Sequence, residues 1–170
     1  EKLYEAGEGI TGTPTGFIDL DELLSGLQPS ALIIVGARPA MGKTAFALNV
    51  AAHAAVREQK PTLIFSLEMG HLELTQRMLC SEANVDAKNM RDGKLNDDDW
   101  NRISNGIGRL ADAPMWIDDN PNLTIMEIRA KARRLKSQAG GLGLVIVDYL
   151  QLMSGRAGAE NRQVEVSEIS

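Results

Sequence analysis

The residues best suited to chemistry form a short loop that follows an apolar run and precedes an alanine-rich stretch. Its members are Ala37, Arg38, Pro39, Ala40, Met41, Gly42, Lys43 and Thr44. A loop of this type between a strand and a helix binds phosphate, because backbone N–H groups of the loop and of the helix N-terminus surround the anion. Lys43 then reaches the β and γ phosphates, the Thr44 hydroxyl ligates Mg²⁺, and Gly42 lets the backbone approach closely. The usual motif opens with glycine, whereas Ala37 fills that place here.

A second anchor for Mg²⁺ is expected beside such a loop, and the apolar run from Leu144 to Val147 leads to one. Asp148 follows the run, so a buried strand would place its carboxylate at the edge of the sheet where the phosphates bind. An aspartate at this point is also common in an ordinary turn. Its combination with Lys43 and Thr44 favours the magnesium role.

Hydrolysis also requires a group that orients and activates water. Glu68 follows the apolar run that begins at Thr62, which would place its carboxylate at the same sheet edge. The alternative is an acidic residue that only starts the next helix. Gln151 lies just beyond Asp148 and could sense the γ phosphate, although spacing alone leaves that role open.

Short apolar runs predict the strands that must position these residues. The runs are Ala31 to Val35, Thr62 to Leu67, Met115 to Ile117, and Leu144 to Val147. Helical patterns separate them, and this alternation predicts an α/β fold with a mostly parallel sheet and helices on both faces. Ligands of such folds bind outside the carboxyl ends of the strands.

The intervening helices are predicted from composition, apolar spacing and capping residues. Thr44 to Gln59 is alanine-rich and lacks glycine and proline. The predicted apolar faces comprise Leu72, Leu79 and Ala83 in the next helix; Trp100, Ile103, Ile107 and Leu110 in a helix capped by Asn96; and Ile125, Ile128, Ala132 and Leu135 in the last. That last helix opens with a capping box, Thr124 and Glu127, and ends before Gly140.

Composition narrows the class of protein. The chain has 170 residues, with 44% apolar and 24% charged residues, which fits one globular domain and excludes disordered and collagen-like chains. A single cysteine, Cys80, excludes an internal disulfide and a cysteine-based zinc site. No apolar run is long enough to cross a bilayer and no signal peptide is evident, so we expect a cytoplasmic location without a membrane. The net charge of −5 argues against a protein that coats nucleic acid with its whole surface.

A local basic cluster stands against this acidic background. It comprises Arg129, Lys131, Arg133, Arg134 and Lys136, all on the helix opened by the capping box. The cluster could bind DNA, but no aromatic residues interleave with it for base stacking. A solvated basic face is the more common outcome for such a helix.

Motifs spread along the chain resemble, in order, those of the DnaB-type replicative helicases, in the RecA-like motor domain. They are GTPTGF at 12–17, GLQP at 26–29, ARPAMGKTAFALN at 37–49, SLEM at 66–69, IDDNP at 117–121, DYLQLM at 148–153 and ENRQ at 160–163. The alanine at the first position of the phosphate loop is itself a trait of that family. The resemblance implies an incomplete domain: 1–14 as the tail of a linker and an opening segment, and 15–170 as a RecA-like ATPase domain that lacks its carboxyl end.

The resemblance also implies roles for individual residues. Lys43 and Thr44 bind phosphate and Mg²⁺, Glu68 polarises the attacking water, Asp148 is the Walker B aspartate, and Gln151 senses the γ phosphate. The segment from Ser154 to Gln163 matches a DNA-contacting loop, with Arg156, Asn161 and Arg162 as candidate contacts.

The same resemblance implies the activity and the partners. The expected protein is an ATP-dependent DNA helicase that moves on single-stranded DNA as a homo-hexamer, with ATP and Mg²⁺ at each site. Basic finger residues of a neighbouring subunit complete each site, and a primase and a helicase loader are further partners. Two alternatives stay open on the residues alone: a small-molecule phosphotransferase, and a nucleotide-binding scaffold without turnover.

Overall fold

The computed structural model of the chain describes residues 10–38 and 40–148. Its sheet has three parallel strands in the order β2-β1-β3, namely β1 (Thr62–Ser66), β2 (Met115–Asp118) and β3 (Leu144–Asp148). Thr62 lies opposite Met115 on one side and opposite Leu144 on the other. The carboxyl ends of all three strands therefore meet at one edge, and the predicted parallel sheet is confirmed.

Six α-helices surround this sheet in the described part of the chain. They are α1 (Ile18–Leu24), α2 (Lys43–Ala52), α3 (His71–Ala83), α4 (Ala87–Arg91), α5 (Asp97–Asp112) and α6 (Ile125–Gln138). A π-helical segment, His53–Arg57, continues α2, so the single helix predicted from Thr44 to Gln59 changes its hydrogen-bond pattern midway. The sequence gives no local signal for that change.

The core lies on both faces of β1, which is buried along its whole length. Leu63 and Phe65 point to one face, where they pack with Leu123 and with apolar side chains of α6. Ile64 points to the opposite face and packs against α2 and α3. Because successive strand residues face opposite sides, a continuous apolar run is what a strand covered on both faces requires.

The prediction of a strand from Ala31 to Val35 is wrong. Residues 31–35 have no regular secondary structure and are exposed, with Leu32 at 79% and Ile34 at 75% of their full accessibility. A strand is stabilised by hydrogen bonds to a neighbouring strand. Within the described residues the only strand pairs are β1 with β2 and β1 with β3, so this apolar run has no partner there.

All three predicted apolar faces are partly wrong, beginning with those of α3 and α5. Leu72 is 76% exposed, because α3 packs through Leu74 together with Met78, which the sequence pattern places near the predicted face. Trp100 and Ile107 are also exposed, since α5 approaches α3 at Gly106, where an added Cβ would lie 3.3 Å from the Cβ of Ala83. Glycine has no apolar side chain, so the spacing of apolar residues does not reveal that Gly106 lies on the face of α5 that contacts α3.

The capping predictions for α5 and α6 are confirmed. Asn96 and Asp99 exchange hydrogen bonds at the start of α5, where the Asp99 N–H donates to the Asn96 side chain at 2.7 Å. Thr124 and Glu127 do the same at the start of α6. The last apolar face is confirmed at Ile128, Ala132 and Leu135, which pack on the core, while Ile125 is exposed.

The segment before the phosphate loop folds back on itself and contacts α2. Thr13 pairs with Leu27 in an antiparallel bridge, and the buried Asp21 accepts hydrogen bonds from the backbone and side chain of Thr15. The ring of Phe17 stacks on that of Phe46 in α2, with centroids 5.2 Å apart.

The domain boundary expected near residue 15 stays a prediction. Among the described residues, none of the helices has the length and apolar character needed to cross a membrane.

Candidate functional site

The phosphate-type loop leads directly into α2, as predicted. Gly42 is the N-cap of α2 with φ +86°, a conformation that favours glycine, and Ala40 also has positive φ at +61°. The N-cap offers no side chain to the first-turn N–H groups, so these groups suit an anionic ligand. The described loop residues 37, 38 and 40–42 are exposed, whereas Pro39 lies outside the described residues.

Asp148 brings together the two predicted ligands of the loop. Its Oδ1 lies 3.2 Å from the Nζ of Lys43, and its Oδ2 accepts a hydrogen bond from the Thr44 hydroxyl at 2.7 Å. The Asp148 side chain is only 8% exposed although it lies 104 residues from Thr44 in sequence. A buried carboxylate requires such partners, because its loss of hydration would otherwise be costly. The sequence prediction that these residues converge is confirmed.

The donor set of this cluster fits a magnesium nucleotide. Mg²⁺ prefers oxygen ligands, and it is usually held by one or two protein groups together with water and substrate phosphates. Thr44 and Asp148 supply a hydroxyl and a carboxylate at the carboxyl edge of the sheet. Lys43 adds a positive charge beside them, suited to phosphate oxygens.

Glu68 lies at the same edge, one strand away. The Leu67 N–H donates to the Asp148 carbonyl at 2.8 Å, so the β1 chain remains paired with β3 until just before Glu68. The Glu68 residue is exposed. This location agrees with a role in activating water, and the role itself stays a prediction.

Two acidic residues at the end of β2 were not singled out as functional by sequence reasoning. Asp118 forms an ion pair with Lys131 of α6. Asp119 accepts hydrogen bonds from the backbone N–H of His71 at 2.9 Å and from the ring Nδ1 of His71 at 2.8 Å. These bonds, led by the backbone N–H, hold the pKa of the Asp119 carboxyl below its usual range. The only sequence signal was a pair of aspartates after a predicted strand, which does not indicate the helix that Asp119 contacts.

The remaining predicted residues fall into two groups. Gln151, Arg156, Asn161 and Arg162 lie outside the described residues. The basic residues of α6 are exposed, and Lys131 is paired with Asp118. Through Lys131, the basic face of α6 contacts the end of β2.

Comparison with known proteins gives a consistent result. A family model described as the DnaB-like helicase C terminal domain matches residues 12–170. The chain is 52% identical over its whole length to the replicative DNA helicase DnaB of Geobacillus stearothermophilus, and 50% identical to the replicative DNA helicase DnaC of Bacillus subtilis. It spans 37% of the length of each of these relatives.

Solved structures give the same result for the fold. A DnaB-like replicative helicase, described together with its interactions with primase, matches 99% of this chain with a TM-score of 0.91 at 30% identity, over 41% of its own length. A second solved structure, described as an ATPase domain, matches 98% of this chain, also with a TM-score of 0.91 and 30% identity, over 60% of its own length. The predicted RecA-like α/β fold is confirmed by these matches.

Proposed function

Since this chain belongs to the DnaB-like helicase C-terminal domain family, we propose that it is part of an ATP-driven DNA helicase motor. The observation that carries this proposal is the convergence of Lys43 and Thr44 on the buried carboxylate of Asp148. A cation, a hydroxyl and a carboxylate at a helix N-terminus are what binding of a magnesium nucleotide requires.

In the proposed mechanism, the loop and the first turn of α2 bind the phosphates of ATP. Lys43 contacts the β and γ phosphates, and Thr44 with Asp148 would hold Mg²⁺, which neutralises charge on the phosphate oxygens. Lys43 and Asp148 form an ion pair in the structure, so their charges already offset each other before ligand binding. When ATP binds, its phosphate oxygens replace the carboxylate of Asp148 as the anionic partner of Lys43.

Glu68 is the proposed general base. Water attacks the γ phosphorus, the bond from that phosphorus to the oxygen of ADP breaks, and the carboxylate of Glu68 takes the proton from water. Gln151 is proposed to sense the γ phosphate. Basic residues of a neighbouring subunit are proposed to stabilise the charge of the transition state.

The partners follow from the family and are proposals as well. Single-stranded DNA is the proposed track, with Arg156, Asn161 and Arg162 as candidate contacts, and a homo-hexamer is the proposed assembly. A primase is a proposed partner because one structurally similar helicase is described with its primase interactions. A helicase loader and a cytoplasmic location stay predictions from the sequence.

The test is MgATP hydrolysis with and without single-stranded DNA, in the full natural polypeptide that contains this chain and in the chain itself. Lys43→Ala in each is the control for contaminating activity. We expect stimulation by DNA in the full polypeptide and little turnover in the isolated chain, because the site is completed in trans. Absence of hydrolysis in both would contradict the motor, and transfer of phosphate to a small acceptor would indicate a phosphotransferase.

A further inference from the structure

Glu68 lies in the turn between β1 and α3, with its side chain exposed. In the part of the chain that the structure describes, no hydrogen bond or ion pair holds its carboxylate. The backbone of the turn between β1 and α3 therefore sets where this side chain begins and how far its carboxylate can reach. Any group that holds this turn also holds the Cα–Cβ bond of Glu68 relative to the phosphate loop.

The near side of the turn is fixed by β1 and β3. The Ser66 hydroxyl donates to the Met69 carbonyl at 2.7 Å and accepts from the Met69 N–H at 3.2 Å. The Leu67 N–H donates to the Asp148 carbonyl. These bonds fix the backbone before Glu68 and at the residue after it.

The far side of the turn is the start of α3, which lacks a cap of its own. Gly70 is the N-cap residue of α3 and has no side chain to accept from the first-turn N–H groups. Asp119 supplies the missing acceptor from the end of β2, 48 residues away in sequence, through its bonds to the backbone and ring of His71.

The backbone that leads into Asp119 is held in place by contacts of the preceding residue. Its neighbour Asp118 ends β2, forms an ion pair with Lys131 of α6 and accepts from the Asn120 N–H at 3.1 Å. The turn with Glu68 is thereby tied to β3 on one side and to the end of β2 on the other.

We propose that Asp119 is a positioning residue for ATP hydrolysis, which caps α3 from the end of β2 and so holds Glu68 in its catalytic position. The inference rests on the proposed function, because it requires Glu68 to act on water. It assigns Asp119 no contact with nucleotide. It predicts a defect in turnover without a matching defect in nucleotide binding.

The experiment compares Asp119→Ala, Asp119→Asn and Asp86→Ala in the full natural polypeptide. Asp86 is the matched control, because its carboxylate caps α4 by accepting from the N–H groups of Lys88 and Asn89. Asparagine caps helices about as well as aspartate, so Asp119→Asn is the conservative rescue. The measurements are kcat and KM for DNA-stimulated ATP hydrolysis, affinity and stoichiometry for a non-hydrolysable ATP analogue, and amide hydrogen exchange of residues 67–74.

For Asp119→Ala we expect kcat to fall by about tenfold, because a displacement near 1 Å of a catalytic group can cost on the order of a hundredfold. KM and analogue binding should stay within about twofold, since the phosphate loop is intact. Exchange of residues 67–74 should accelerate in the same variant. Asp119→Asn should retain kcat within about threefold, and Asp86→Ala should match the unmodified protein.

A normal kcat in Asp119→Ala, an equally slow Asp119→Asn, or unchanged exchange at residues 67–74 would overturn the inference. A fall in analogue stoichiometry that accounts for the whole loss of activity would do so as well, since it would indicate unfolding. Failure of the proposed function is separate: the unmodified protein would then lack hydrolysis, or Glu68→Gln would be fully active. Either result would also remove the basis of the role of Asp119.

Discussion

At the scale of single residues, Asp148 makes the fold and the site depend on each other. Its carboxylate is nearly buried and depends on Lys43 and Thr44 for compensation. The same three groups are those that a magnesium nucleotide would use.

Glu68→Gln separates the proposed motor from a scaffold that binds nucleotide without turnover. Glutamine keeps the size of the side chain but cannot accept the proton of water, so hydrolysis should fall by at least about a hundredfold. Binding of ATP should be unchanged, because the phosphate loop is untouched. Steady-state hydrolysis and analogue binding in the full polypeptide provide the measurement.

Glu73→Gln is the matched control for that experiment. Glu73 lies in the first turn of α3 and pairs with Arg77 on the surface. Loss of the Glu73 charge should leave hydrolysis unchanged, since exposed ion pairs contribute little to the stability of the folded state. Equal activity of Glu68→Gln and the unmodified protein would rule out Glu68 as the base.

At the scale of elements, the capping box of α6 should make this helix sensitive to acid. The backbone N–H of Thr124 donates to Glu127 at 2.8 Å and the Thr124 hydroxyl at 2.9 Å, and these bonds hold the pKa of the Glu127 carboxyl below its usual value. The folded state therefore binds protons less readily than the unfolded state. The stabilisation is complete above the usual pKa of about 4.3 and is lost as pH falls through the lower folded value.

Nuclear magnetic resonance titration of Glu127 measures this directly, with denaturation at neutral and at acidic pH as a second readout. We expect a midpoint below the usual value, and a larger loss of stability on acidification than in Glu127→Gln. Titration of Glu127 at or above the usual value would contradict the capping role.

Helix α5 offers a paired test of packing. Gly108 has open space around it and Gly106 does not, since a Cβ at Gly106 would meet Leu79 at 3.2 Å and Ala83 at 3.3 Å. Gly108→Ala should stabilise the domain by about 0.5–1 kcal/mol, the usual gain in helix propensity. Gly106→Ala should gain less or lose stability, because α3 must shift. Urea denaturation followed by tryptophan fluorescence compares them, and equal gains would refute the close contact.

The elements differ in how far the sequence predicts them, for physical reasons. The caps at Asn96 and Thr124 are local, because each partner lies three residues away. The sequence predicts the Asn96 cap and the capping box of Thr124 and Glu127. The run from Ala31 to Val35 has strand composition, but a strand needs a hydrogen-bonded neighbour that local sequence cannot supply. The cap of α3 by Asp119 is likewise long-range, so no local pattern reveals it.

At the scale of the whole molecule, the sheet brings residues that are distant in sequence together in one site. Parallel strands bring Ser66 and Asp148 into register, and the phosphate loop reaches Asp148 through α2. The shared edge of β1 and β3 follows from parallel topology, whereas the approach of the loop to Asp148 is predicted from the phosphate-loop motif, because residues 31–35 form no strand. The exposure of Trp100 was less predictable, since it depends on how α5 packs against α3.

The net charge restricts where the proposed binding of DNA would occur. A chain with net charge −5 must concentrate its interactions with phosphates in a few basic residues. The candidates are the loop with Arg156 and Arg162, from family resemblance, and the exposed α6 residues Arg133 and Arg134.

The double variant Arg156→Ala and Arg162→Ala discriminates between these two surfaces. In the full polypeptide, affinity for a labelled single strand should fall, and the slope of log affinity against log salt should decrease by about 0.7 for each phosphate interaction that the variant removes. Arg133→Ala with Arg134→Ala removes the same charge from α6 and should leave both quantities unchanged. Fluorescence anisotropy at several salt concentrations provides the measurement. If the α6 pair changes the slope and the loop pair does not, the basic helix is the DNA-binding surface, and the smaller role assigned to it is wrong.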